Sequence, residues 1–220
     1  MTTAIIGVGN LGGALARHLV AGGEVVALAA ADDTHASALA EELGPNAAAA
    51  SVEDAMAGAD VVVLALWLDQ IKEVVPGHAH LLENKVVVDP SNPIGFDANG
   101  QIVRTLPDDQ AAGSIVAALL PASAHYVKGF GTLAADALAS SANREPKRVV
   151  LFYATDDDIA AGTVERLIRA AGFDPVKAGS GADAIKLEGP NGPLSQGGLN
   201  GELLDLDQAR ATLAATEVTA

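Results

Sequence analysis

The stretch TAIIGVGNLGGALARHL, residues 3–19, decides the fold. Thr3–Val8 is a short apolar run that reads as a strand, and an Ala- and Leu-rich segment from about Leu11 to Ala21 reads as a helix. Between them stand Gly7, Gly9 and Gly12. Alone, this G-x-G-x-x-G spacing says little. Between an apolar strand and a helix, in a βαβ-sized unit, it is the arrangement in which a helix N-terminus receives a pyrophosphate. Gly7 permits the tight turn, Gly9 lets the backbone approach the phosphates, and Gly12 lets helix and strand pack closely. Asn10 and Leu11 open the helix, whose free N–H groups and positive dipole end favour an anion.

Outward from this unit, strand and helix signals alternate. Glu24–Ala30 reads as a second strand and Thr34–Leu43 as a helix. Asp60–Leu66 and Lys85–Asp89 are nearly continuous in Val and Leu, as suits parallel strands buried on both faces. A helix around Ala111–Leu120 leads to a fifth strand, Ala124–Phe130, and Arg148–Thr155 is a sixth. A helix over Asp157–Ala171 and a short seventh strand, Phe173–Ala178, follow. The alternation predicts an α/β fold, a Rossmann-type doubly wound parallel sheet with right-handed crossovers and a small C-terminal extension. The expected division is 1–145 for the dinucleotide-binding domain and 146–220 for the extension packed on it. Ala47–Ala50 is a brief alanine run, and no internal repeat is visible. Glu188–Gly201 (EGPNGPLSQGGLNG) reads as a loop, Leu203–Ala215 as a last helix, and the final residues as a fraying end.

Composition narrows the function. Half of the 220 residues are hydrophobic, enough for a real core. There is no cysteine, which excludes disulfides, thiolate metal sites and a cysteine nucleophile. The formal charge of −15 disfavours nucleic acid and anionic membrane surfaces as partners. Val61–Leu68 is the longest strongly apolar run, too short to span a bilayer, and the N-terminus shows no basic-then-apolar leader pattern. A cytoplasmic protein is therefore expected.

Ligands of an open parallel sheet bind beyond the carboxyl ends of its strands. At the end of the second strand, Asp32 stands where an acid would hold the ribose hydroxyls, and it serves equally well as a helix N-cap. The third strand delivers Leu66, Trp67 and Leu68, with the only Trp of the chain. The fourth delivers Asp89-Pro90-Ser91-Asn92-Pro93, and the fifth Lys128-Gly129-Phe130-Gly131-Thr132. Trp67 reads either as an aromatic wall or as a partly buried core residue, and Asn92 either as a ligand amide or as a turn-former between prolines. Other groups are bland. His78-Ala79-His80 reads as an exposed turn, Asp156-Asp157-Asp158 as a helix cap, and His18 as structural. No metal site and no catalytic dyad or triad is legible.

The glycine turn, the strand ending VVVDPSNP, the segment YVKGFGT and the run RVVLFYATDDD…VERLIRAAGFDPVKAGS before Lys186-Leu187-Glu188 together resemble one family, over most of the chain to about Glu188. This is the F420-dependent NADP oxidoreductase family, which includes F420:NADP oxidoreductases and the reductase domain of STEAP metalloreductases. The resemblance implies hydride transfer between NADP(H) and a deazaflavin (F420) or flavin, and frequently a homodimer. It places Gly7, Gly9, Asn10, Leu11 and Gly12 on the pyrophosphate. It places Trp67, Leu68, Pro90, Ser91 and Asn92 around the nicotinamide and its ribose, with Leu66 a further cofactor-binding candidate at the end of the third strand. The chain departs from the family where NADP-binding members carry Ser or Asn followed by Arg, since Ala29 and Ala30 stand there. NAD is therefore an alternative cofactor, with weak NADP specificity expected. Gly131 replaces the family's frequent Asn or His, and the tail after Glu188 is divergent.

Hydride transfer between two ring cofactors needs no side-chain acid or base, so no catalytic residue is expected. Two rival readings stand beside this one. A reductase of a small carbonyl or imine would want a proton donor such as His125, Tyr126 or Lys128. A non-catalytic NAD(P)-sensing module would bind without turnover.

Overall fold

Strand β1 (Thr2–Ile6) runs through the glycine turn into helix α1 (Asn10–Ala21), in a computed structural model that describes residues 1–218. Next come β2 (Val25–Ala29), α2 (Asp33–Leu43), β3 (Ala47–Ala49), α3 (Val52–Gly58) and β4 (Val61–Leu64). They are followed by α4 (Leu68–His78), β5 (Val86–Asp89), a hairpin of β6 (Ile94–Phe96) and β7 (Ile102–Arg104), α5 (Ala112–Leu119) and β8 (His125–Lys128). The remaining elements are α6 (Ala135–Ser141), β9 (Val150–Tyr153), α7 (Asp158–Ala170), β10 (Asp174–Lys177), α8 (Ala184–Leu187) and α9 (Leu206–Val218).

Six strands form one sheet in the order β3-β2-β1-β4-β5-β8, every neighbouring pair parallel. The order reverses between β1 and β4, which opens a crevice at the carboxyl ends of those strands. This is the doubly wound α/β architecture that the alternation predicts. The Val-rich strands divide their side chains between two faces. Ile5, Leu28, Val61, Val63 and Val88 join Leu15 and Leu19 of α1 and Val164, Leu167 and Ile168 of α7 in one core. Ala4, Ile6, Val62, Leu64 and Val87 face Met56 of α3, Ile71 and Val75 of α4 and Val116 of α5 on the other side. Full burial of such a Val, Leu or Ile side chain contributes roughly 1.5–3 kcal/mol.

At Lys128 the sheet turns a corner. β9 meets β8 only through an antiparallel bridge between Lys128 and Ala154, and β9 and β10 form a parallel pair of their own. The sixth and seventh strands of the sequence reading are therefore present, but as a separate two-stranded sheet. Leu151 and Tyr153 of β9 point into the same core as α1 and α7. Val150, Phe152 and Ala154 point the other way, to Leu187, Leu194, Leu204 and Ala209.

Several elements lie where the sequence reading placed none. The alanine run Ala47–Ala49 is the edge strand β3. Helix α4 carries Pro76 inside it and ends on His78, whose Nδ1 lies 2.8 Å from the Val74 carbonyl, so His78 closes a helix and is not in an exposed turn. His18 is structural, with Nε2 3.0 Å from the Leu138 carbonyl and its ring edge-on to Phe173. Asp157 caps α7 by accepting from the Ala160 N–H. The expected fraying end, beyond residue 218, lies outside the described residues.

Candidate functional site

The glycine turn is built by close approaches. Gly7 has φ +98°, and an added Cβ there would lie 2.3 Å from the Ala65 carbonyl oxygen at the end of β4. A Cβ on Gly12 would lie 1.9 Å from the Gly7 oxygen. Gly9 differs. It is the N-cap of α1, and apart from its own chain neighbours no described atom lies within 4 Å of where its Cβ would be. No side chain caps α1, and its first turn holds no acid. The N-termini of α2, α3 and α7 are by contrast occupied by Asp32, Ser51 and Asp157. The α1 N–H groups thus face outward at an exposed Gly9 and Asn10. From this turn a cleft of about 730 Å³ runs between α1 and α2, past Gly13, Arg17, His35 and Glu42.

The other predicted residues fall at the carboxyl ends of β2 and β4, which flank β1 in the sheet, and of β5, the next strand beyond β4. Ala30 is half-buried and Asp32 exposed. Asp32 Oδ1 accepts from the Thr34 N–H at 2.9 Å and hydroxyl at 2.6 Å, and these bonds hold its carboxyl below the usual range. Leu66 lies against Gly7, its Cδ2 2.9 Å from the position of an added Cβ. Trp67 is 50 % exposed and meets the exposed Phe96 of the hairpin edge-on, at 6.2 Å between centroids. Of its two readings, an open wall fits and a core position does not. Leu68 is buried beside Ile71 and Val75, so its side chain belongs to the core and not to the crevice.

Pro90 and Ser91 are buried, and the Ser91 hydroxyl has no hydrogen-bond partner among the described residues. The Asn92 amide is engaged on both sides. Its Nδ2 donates to the Gly131 carbonyl at 2.9 Å, and its Oδ1 accepts from the Gly189 N–H at 2.7 Å. Asn92 therefore ties the β5 loop to the β8 loop and to the tail. A Cβ on Gly131 would lie 2.6 Å from the Pro90 oxygen, so the two loops are too close for a side chain at position 131.

Beneath these loops lies a buried charged cluster absent from the predicted site. Asp89 and Lys128 are register partners on β5 and β8, and both are buried. Asp89 Oδ2 accepts from Lys128 Nζ at 3.0 Å and from the Tyr126 hydroxyl at 2.9 Å, while Oδ1 accepts from the Ser91 N–H. Lys128 Nζ also donates to the Ser91 carbonyl and stands 3.5 Å from Glu188 Oε1. The buried Glu188 accepts from the Ala112 and Gly113 N–H groups at 2.9 and 2.7 Å and so caps α5. Burial first, and then the Asp89 charge, push the Tyr126 hydroxyl well above its ordinary range. Tyr126 and Lys128 are committed to this network, and His125 Nδ1 lies 2.6 Å from Asp157. Among the described residues there is no cluster of three His, Cys, Asp or Glu that could hold a metal, and no helix long and apolar enough to cross a membrane.

The family model for NADP oxidoreductase, coenzyme F420-dependent, matches residues 2–93. A hypothetical protein from Sinorhizobium meliloti has a solved structure that superposes with a TM-score of 0.81 at 30 % identity, over 93 % of this chain and 95 % of that one. Over this matched span the chain belongs to the F420-dependent NADP oxidoreductase family. Members of this family are oxidoreductases. A protein from Arthrobacter sp. FB24 named as an F420-dependent NADP-reductase superposes with a TM-score of 0.71 at 23 % identity, over 83 % of this chain and 86 % of that one, a likeness of fold. Metalloreductase STEAP3 of Rattus norvegicus is 29 % identical over 184 residues, which cover 84 % of this chain. The chain spans about a third of that curated relative, 35 % of its length. The matched span of the family model holds every residue of the predicted cofactor site, from Gly7 to Asn92.

Proposed function

We propose that the chain binds a nicotinamide dinucleotide on the Gly7–Gly12 turn and transfers a hydride between its nicotinamide and a flavin or deazaflavin beside Trp67. The observation that carries this reading is Gly9. Protein packing does not require a glycine there, because the space beside it is empty. A ligand pressed against the backbone does require one. The same turn leaves the α1 N–H groups uncapped, and these would hold the pyrophosphate.

The remaining residues fit the rest of such a molecule. Asp32 keeps its Oδ2 free of hydrogen bonds within the described residues, so it can cap α2 through Oδ1 and still accept from ribose hydroxyls. The Ser91 hydroxyl, buried and unpartnered at the end of β5, one strand from the switch point, has a donor to spare. Trp67 and Phe96 offer an apolar wall that excludes water from one side. When bound, the nicotinamide supplies the hydride chemistry, and the chain has only to align donor and acceptor. The test is oxidation of NADH and NADPH by the full chain against F420, FMN and FAD. Turnover with at least one acceptor is expected. Tight binding with no turnover would favour a sensing module instead.

A further inference from the structure

We infer that Glu42 decides which dinucleotide the cleft accepts: it holds the Arg17 guanidinium away from a 2′-phosphate, so the chain takes NAD(H) ahead of NADP(H). This rests on the dinucleotide reading above. Arg17 is the only arginine or lysine lining the cleft that starts at Gly9 and Asn10. Its side chain folds back along α1 toward the glycine turn, since a Cβ on Gly13 would lie 3.3 Å from Arg17 Nη1. It is therefore placed toward the phosphate end of the cleft.

Arg17 is already engaged. Its Nε and Nη2 each donate to a different oxygen of Glu42 at 2.7 Å, the paired geometry in which a guanidinium would otherwise grip a phosphate. The Arg17 hydrogen bond holds the Glu42 carboxyl below its usual range, so the pair is ionised at neutral pH. Asp136 lies on the far wall, so the lining sets one arginine against two carboxylates. Asp32 and Asp33 add negative charge at the end of β2, and Ala29-Ala30-Ala31 offers no hydroxyl or cation there. A 2′-phosphate, close to doubly charged at neutral pH, would have to displace Glu42 and leave that carboxylate beside it. A ribose hydroxyl meets no such conflict.

The experiment measures dissociation constants of NADH and NADPH for the full chain, for Glu42→Gln and for the double variant Arg17→Met/Glu42→Gln, with melting temperatures to establish that each is folded. The pair is half-exposed on both sides, so the variants keep the fold. The parent is expected to prefer NADH. Glu42→Gln should move the NADPH/NADH ratio about tenfold toward NADPH. It should also steepen the salt dependence of NADPH binding, and the double variant should lose both effects. A parent that prefers NADPH, a ratio unmoved in Glu42→Gln, or a gain that survives removal of Arg17 would each overturn the inference. A parent that binds neither dinucleotide would overturn the underlying reading as well, which separates the two failures.

Discussion

Gly7, Gly9 and Gly12 share one motif but answer to different constraints. Gly7 and Gly12 are fixed by the fold, because a methyl group at either would lie about 2 Å from a carbonyl oxygen. Gly9 is fixed only by what lies outside the protein. Gly12→Ala should therefore destabilise the chain by about 1–3 kcal/mol or more, as overpacking does, read as a lower urea midpoint. Gly9→Val should melt within a few degrees of the parent and lose dinucleotide affinity by at least roughly tenfold. A Gly9→Val chain that binds as well as the parent would remove the pyrophosphate assignment. Trp67 makes a second residue-scale test. It is half-exposed, so Trp67→Ala should cost only about 0.5–1.5 kcal/mol, the worth of its edge-on contact with Phe96. As the sole Trp, it should lose fluorescence when NADH or NADPH is added, and emission that ignores saturating dinucleotide would place the nicotinamide elsewhere.

Helices and strands differ in how openly the sequence declares them. The runs Val61–Leu64 and Val86–Asp89 are legible because a parallel strand buried on both faces tolerates no polar residue until its end. Helix α4 is obscured by Pro76-Gly77, a pair that disfavours a continuing helix, although Leu68, Ile71 and Val75 keep a helical spacing. The hairpin β6–β7 has three-residue strands with exposed Phe96 and Ile102, too short for an alternation to register. The crevice residues are legible because strand ends in an open α/β sheet mark the ligand side. The Asp89–Lys128–Glu188 cluster is not, because its members come from three separate elements and meet only in the fold. That cluster joins β5, β8 and the N-terminus of α5, and it makes a prediction at this scale. Lys128→Met would leave the buried Asp89 carboxylate without a cation and Glu188 with Arg104 alone, at 4.0 Å, and should cost about 3–5 kcal/mol in urea unfolding. A loss below about 1 kcal/mol would show that the cluster does not hold these elements together.

Across the whole molecule, paired carboxylates and buried phenols set the pH range of stability. Hydrogen bonds from Lys186 and Ser180 lower the pKa of Asp183, and those from Tyr153 and Arg169 lower that of Glu165. Such groups contribute fully above their unfolded values of about 4, and the contribution is lost as pH falls through the lower folded values. Tyr126 is raised, so its contribution is complete below about pH 10 and is lost as pH rises beyond. Melting temperatures should therefore hold a plateau between about pH 5 and 9 and decline on both sides. A melting temperature that climbs below about pH 4 would contradict this account. The Gly- and Pro-rich tail also acts at this scale. Its glycines mark tight self-contact: a Cβ on Gly197 would lie 2.1 Å from the Pro190 oxygen, and Leu194 and Ser195 are buried. Gln196 binds the Thr132 carbonyl and the Ala134 N–H, so the tail is seated on the β8 loop. Glu188 begins that tail, and its carboxylate reaches back 75 and 76 residues to the first N–H groups of α5. Synthesis runs in the other direction. While a ribosome is still making the segment after α5, that helix end has no acceptor, and Lys128 lacks one of its two carboxylates. The face of β1 and β4 that packs on Val164, Leu167 and Ile168 of α7 waits in the same way, so both halves of the sheet are completed only by segments made late in translation.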